Sequence, residues 1–262
     1  MLLLPPSEGK APGGEGPPWA AAPAAFPQLD PVRARVRDAV REALAAGDAE
    51  AVRLLGVRGA HLARALAEWE ELDTAPTLPA AERYRGVVWT ALGVDGLGRT
   101  ARRRLDARVL VLSGLWGLLA ATDPVPAYRL KMGARVPALG PLAAVWRPLV
   151  TPLVDARAAG GWVIDLLPAE HSAALDAEGL AEARHLRVEL VEDAGGGRRS
   201  VGHAGKTLKG LLARAILETG AATPRAVAGL EVPGLRLAAR SVPRRGPAVV
   251  TFARTAAARA VA

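Results

Sequence analysis

Three short apolar runs, each ending directly in a proline- or glycine-bearing loop, constrain this chain more than any other feature. They are Leu2–Leu4 before Pro5-Pro6, Arg108–Ser113 (RVLVLS) before Gly114, and Gly161–Leu167 (GWVIDLL) before Pro168. Unbroken runs without alternation suit strands buried on both faces of a helix-covered sheet. Between the first two runs the pattern turns helical. From Pro31 to about Glu71, Val32, Val36, Val40 and Leu44 recur at four-residue spacing, and Val52, Leu54 and Leu55 precede Gly56, which predicts two or three helices. Val188–Val191 and Val249–Phe252 read as further strands, with a helix over Lys206–Glu218 between them. The expected fold class is therefore α/β, or α+β with a mixed sheet. Residues 1–262 form a single domain in this reading, with a central mixed sheet, surrounding helices and a helical insertion over 31–75. The loop after the first strand, rich in Pro, Gly and Ala and carrying Trp19 and Phe26, reads as a surface excursion. Gly195–Ser200 (GGGRRS) reads as a mobile hairpin or loop, and the last ten residues as frayed.

Composition narrows the function classes. Cysteine is absent, so disulfides and thiolate metal sites are excluded, and none of the four histidines falls in HxxxH or HExxH spacing. No metal and no cofactor is expected. The opening leucines are too few for a signal peptide or membrane span, so a cytoplasmic protein without a membrane partner is expected. The net charge of +8 and the pI near 10.8 favour polyanions. Arginine supplies 30 of the 34 basic residues in a chain crowded with Ala, Gly and Pro, so part of that basicity reflects drift toward GC-rich codons.

The same drift makes survivors informative. Asn is absent, and only four lysines (Lys10, Lys131, Lys206, Lys209) and two tyrosines (Tyr84, Tyr128) remain. A flexible ammonium and an acid–base phenol are chemistries that arginine and leucine do not replace. Chance retention on solvated faces is the competing account.

The lysines and tyrosines fall at places where α/β proteins put ligand groups. Ser7 and Lys10 lie in Pro5–Lys10 (PPSEGK), just past the first strand, as phosphate holders or in an ordinary turn. Leu112–Leu130 starts at Ser113 and runs through Gly114-Leu115-Trp116-Gly117 to Tyr128-Arg129 and Lys131. In an extended segment Arg129 and Lys131 share one side, as a double clamp on phosphate requires. Tyr84-Arg85-Gly86 either carries a cation or caps a helix. His203–Gly210 (HAGKTLKG) opens a helix with Lys206 and Lys209 on one face, Lys206 near the end that favours anions. Asp165 sits in an apolar run and requires a partner such as a lysine if buried, and Glu170-His171 offers acid–base groups. Lys10 and Lys206 are expected in one cleft, with Asp165 reaching it.

In this order, PPSEGK, YRG, SGLWGLL…PAYRLKM, VIDLLPAEH and HAGKTLKGLLAR make the chain similar to the YaaA peroxide-stress family over nearly its whole length. Two prolines and Glu8-Gly9 depart from the family's usual serine-proline-alanine-lysine opening, and His171 stands where a tyrosine is common. The resemblance implies a positively charged cleft that binds double-stranded DNA and limits damage during peroxide stress. It also implies a helix-hairpin-helix-like element, best matched by Leu54–Leu66 (LLGVRGAHLARAL), whose hairpin Gly56, Arg58 and Gly59 would hold backbone phosphate without reading bases. Two other functions stay open. One is an enzyme on a nucleotide, nucleoside or damaged base, with Lys10, Ser113, Tyr128, Asp165, His171 and Lys206 as catalytic candidates. The other is an interaction protein whose charge is compositional.

Overall fold

A computed structural model describes residues 1–194, 197–202 and 204–255. Within them one eight-stranded mixed sheet organises the chain. Its strands are β1 (Leu2–Leu4), β2 (Val109–Ser113), β3 (Gly117–Ala120), β4 (Trp162–Asp165), β5 (Arg184–Ala194), β6 (Gly197–Ser200), β7 (Leu235–Ser241) and β8 (Ala248–Arg254). The spatial order is β7-β8-β5-β4-β1-β2-β3, with β6 paired to β5 off that path. The inner five strands run parallel, and β3, β6 and β7 pair antiparallel.

β1 is three leucines because it lies between β2 and β4 with helices on both faces, and each leucine is at most 2 % exposed. Burial of that degree contributes about 1.5–3 kcal/mol per side chain. Where two or three helices were expected from Pro31 to about Glu71 there are three, Asp30–Ala45, Asp48–Leu55 and Ala60–Glu70. The first buries Val36, Val40 and Ala43 together with Arg33, whose guanidinium donates to the carbonyls of Trp116, Leu118 and Phe26. The Ala204–Thr219 helix buries Gly205, Leu208, Leu212 and Ile216. Its Gly210 meets the short Val87–Leu92 helix so closely that a Cβ there would lie 2.3 Å from the Val88 carbonyl oxygen. This contact fixes two walls of the site described below.

Several expectations need correction. The loop after β1 runs over the surface as expected, with no buried residue over 11–25, but its aromatics pin it down. Phe26 is buried, and Trp19 stacks on Trp116 with ring centroids 4.1 Å apart, because covering aromatic area outweighs exposing it. Gly197–Ser200 forms a ladder with Val191–Ala194, while 195–196 of that stretch lie outside the described residues, as do His203 and 256–262 of the frayed-tail expectation. The Leu142–Ala158 helix, which contains Pro148 and Pro152, was not anticipated, nor were β3 and β7.

Candidate functional site

Two neighbouring arrangements grow from the loop that leaves β1. Residues 9–11 run antiparallel to Arg83–Arg85, with Arg85 N–H donating to Gly9 O at 2.8 Å and Ala11 N–H to Arg83 O at 2.8 Å. Only glycine permits this approach at position 9, where a Cβ would lie 2.4 Å from Arg85 O. The pairing turns Lys10 inward. Its Nζ lies 4.2 Å from the centroid of the Tyr128 ring and donates to Ser7 O at 2.8 Å. The Tyr128 hydroxyl bonds to Ser113 Oγ at 2.7 Å and to the Tyr84 hydroxyl at 2.9 Å, and Ser113 Oγ accepts from Trp116 N–H at 3.1 Å.

All four side chains are sealed, and Ser113 is 0 % exposed. Burial holds both phenols protonated, well above the usual tyrosine range. It also lowers Lys10 to about 8, with Arg129 and Arg83 acting in the same direction and the Glu8 and Glu68 carboxylates opposing them. The network is a closed brace that shapes the Ser7–Gly9 backbone.

The second arrangement is open. A cavity of about 720 Å³ lies at the carboxyl ends of β1 and β4, lined by Ser7 and Glu8, by Val87 and Val88, by the Leu167–His171 loop, and by Lys206 and Lys209. Lys10, Ser113, Tyr128 and Asp165 are not among its lining residues. Lys206 is exposed and makes no ion pair among the described residues. Lys209 Nζ donates to Leu167 O at 2.9 Å, and burial lowers its pKa, as does Arg187, while Asp165 works against the shift. His171 is 6 % exposed and is pushed down to about 4 by burial and by Lys209. It is therefore neutral near pH 7, and its Nδ1, 3.6 Å from Glu170 Oε1, neither forms an ion pair nor has a hydrogen-bond partner.

Asp165 holds the Leu167–His171 loop from behind. Its Oδ1 accepts from Leu167 N–H at 2.7 Å, and its Oδ2 lies 3.2 Å from both Ser172 Oγ and His185 Nε2. The partner expected for a buried Asp165 was one such as a lysine; its side-chain contacts are His185 and Ser172, while Lys209 interacts with it electrostatically. Spacing along the chain gives no sign of His185, because it is the pairing of β4 with β5 that brings it beside Asp165.

The Tyr128–Lys131 segment ties the cavity to the Leu54–Leu66 element. Arg129 Nε donates to Leu55 O at 2.9 Å while its Nη2 pairs with Glu8 Oε2 at 3.2 Å. Trp69 Nε1 donates to Arg129 O at 2.9 Å. Lys131 reaches the link between the two helices, where a Cβ on Gly56 would lie 2.9 Å from its Nζ. That link, Gly56–Gly59, has both glycines at positive φ (66° and 55°) and an exposed Arg58. Of the pair expected to clamp phosphate, Arg129 is thus engaged with Leu55 and Glu8, while Lys131 reaches the link at Gly56. Arg85 is exposed and pairs with Asp95 at 3.3 Å. Of the expected cleft pair, Lys206 lines the cavity and Lys10 lies beneath its floor.

Among the described residues no helix is long and apolar enough to cross a membrane. The model of a family described as peroxide stress protein YaaA matches residues 1–241. The UPF0246 protein SCO2297 of Streptomyces coelicolor is 38 % identical over 222 residues, covering 85 % of this chain and 84 % of that protein. The UPF0246 protein CE1889 of Corynebacterium efficiens is 35 % identical over 218 residues, covering 82 % and 84 %.

Proposed function

Since the chain belongs to the peroxide stress protein YaaA family, we propose that it serves in peroxide stress by binding double-stranded DNA through its phosphates, without reading sequence. The observation that carries this reading is the physical link between the Gly56–Gly59 hairpin and the cavity. Arg129 grips the backbone at Leu55 and the Glu8 carboxylate, and Lys131 fills the space between the hairpin and the sheet. Exposed Arg58 and Lys206 and half-buried Lys131 then offer cations, and the Gly59 amide at the start of the Ala60–Glu70 helix suits a backbone oxygen, whereas the Gly56 amide is already donated to Val52 O at 2.9 Å. The excess of positive charge adds long-range attraction.

Affinity for a random-sequence duplex, followed by fluorescence anisotropy, should fall with salt at a log–log slope of about −0.9 per phosphate contacted. In Arg58→Glu the slope should lose about one contact or more, equally on unrelated sequences, with an unchanged circular dichroism spectrum. A salt-independent curve would remove the reading.

A further inference from the structure

The chain leaves β1 for β2 on one side and later returns to β4 on the other, so the strand order β4-β1-β2 reverses direction at β1. Loops departing a parallel sheet in opposite senses leave a crevice between their carboxyl ends, and ligands of open α/β sheets bind there. The cavity described above sits at this reversal, between Pro5–Gly9 and Leu167–His171. Its size, about 720 Å³, is that of a small-molecule site. A cavity of that volume takes one nucleotide-sized group, not a duplex.

We infer that this crevice binds one phosphate-bearing nucleoside unit, with the anionic group at Lys206 and Lys209 and the flat body against Pro6, Val87, Val88 and Pro168. The nucleotide identity rests on the phosphate-binding reading above.

The charges of the lining favour an anion. Glu8 is paired with Arg129, Glu189 with Arg187 at 3.8 Å, and Arg199 with Glu192 at 2.7 Å. These pairs cancel, leaving, among the described residues, Lys206 and Lys209 against Glu170 alone. Gly205 and Lys206 also begin the sixteen-residue Ala204–Thr219 helix, so its amino-terminal dipole adds to the two ammonium groups.

A second and independent observation is His171. A buried ring nitrogen without a partner is costly and seldom retained without use. Here it belongs to a neutral imidazole in the cavity wall, on a loop that Asp165 and Lys209 hold from two sides. A neutral imidazole donates or accepts toward an uncharged polar edge without competing for the phosphate. The two classes of group therefore match the two ends of a nucleotide.

The unit arrives either free or turned out of a duplex, and titrations separate the two. Wild type, Lys206→Gln and Arg58→Glu are titrated with free deoxynucleoside monophosphates, with a fully paired duplex, and with the same duplex carrying one unpaired nucleotide. Saturable binding of the free nucleotide, weakened about tenfold or more in Lys206→Gln as one charge-assisted contact is lost, supports the site for free ligand. A preference for the unpaired-nucleotide duplex that collapses in Lys206→Gln and persists in Arg58→Glu supports the extruded form. No free-nucleotide binding and equal affinity for both duplexes overturns the inference, while the duplex reading stands. Nucleotide binding without duplex binding upholds the site and discards the duplex. A saturation-transfer or chemical-shift readout on His171, absent when the nucleotide binds elsewhere, separates this crevice from the hairpin.

Discussion

The brace of Lys10, Tyr84, Ser113 and Tyr128 and the crevice of His171, Lys206 and Lys209 use similar side chains, start from similar strand-end loops, and come to opposite states. In the brace the hydroxyls bond mainly to one another, and the ammonium is spent on the Ser7 carbonyl and an aromatic face. In the crevice, among the described residues, Lys206 makes no ion pair and His171 Nδ1 no hydrogen bond. Satisfied polar groups stiffen a fold, and an unsatisfied one in a cavity wall is available to a ligand. Retention of a rare residue against compositional drift therefore marks chemistry that cannot be replaced, whether that chemistry is structural or for a ligand.

The comparison breaks most readily at Tyr128. Tyr128→Leu removes a fully buried ring, leaves Tyr84 and Ser113 hydroxyls short of a partner, and should cost about 3 kcal/mol or more in urea unfolding. Protein that still folds should keep its nucleotide and duplex affinities. If stability is unchanged while affinity collapses, the brace is itself the ligand site.

A smaller effect follows from Lys10. An ordinary lysine titrates near 10.5 and Lys10 near 8, so between those values the unfolded chain holds a proton that the folded chain has released. Stability therefore rises with pH across this window, by up to about 1.4 kcal/mol per pH unit, and is lost again as pH falls toward 8. The difference between wild type and Lys10→Met, measured by denaturation at a series of pH values, should show that slope. A flat difference would mean that Lys10 is solvated and belongs with the crevice.

The smallest stability effect is expected on the other side. Lys206→Gln replaces an exposed side chain that makes no ion pair among the described residues, so the unfolding midpoint should not move measurably. His171 gives an intermediate control. Its depressed pKa means that stability falls as pH drops from 6.5 toward 4, because only the unfolded chain then takes up the proton. His171→Leu should abolish that acid slope, and persistence of the slope would locate the neutral imidazole elsewhere.

The strand alphabet was legible from the sequence because β1, β2 and β4 are buried on both faces and so are written in unbroken apolar residues. β7 was not, since its exposed Arg236 and Arg240 alternate as an edge strand does and resemble a charged loop. The Leu142–Ala158 helix was hidden by Pro148 and Pro152, which read as breakers yet are accommodated in a helix packed on the sheet. In the candidate site the sequence singled out Lys10, Tyr128, His171, Lys206 and Lys209, and overlooked His185, because register across a ladder has no signature along the chain.

Residue chemistry and hydrophobic spacing alone thus determined that parallel strands would end in polar loops, and which rare groups those loops would carry. Only the tertiary structure decided which way each group faces. Lys10 and Lys206 each follow a glycine, but an antiparallel bridge to Tyr84 turns Lys10 under the floor, while the first turn of a helix leaves Lys206 in the open. The partner that sets a side chain's direction is distant in sequence, and burial then fixes whether its charge is spent within the fold or kept for a ligand.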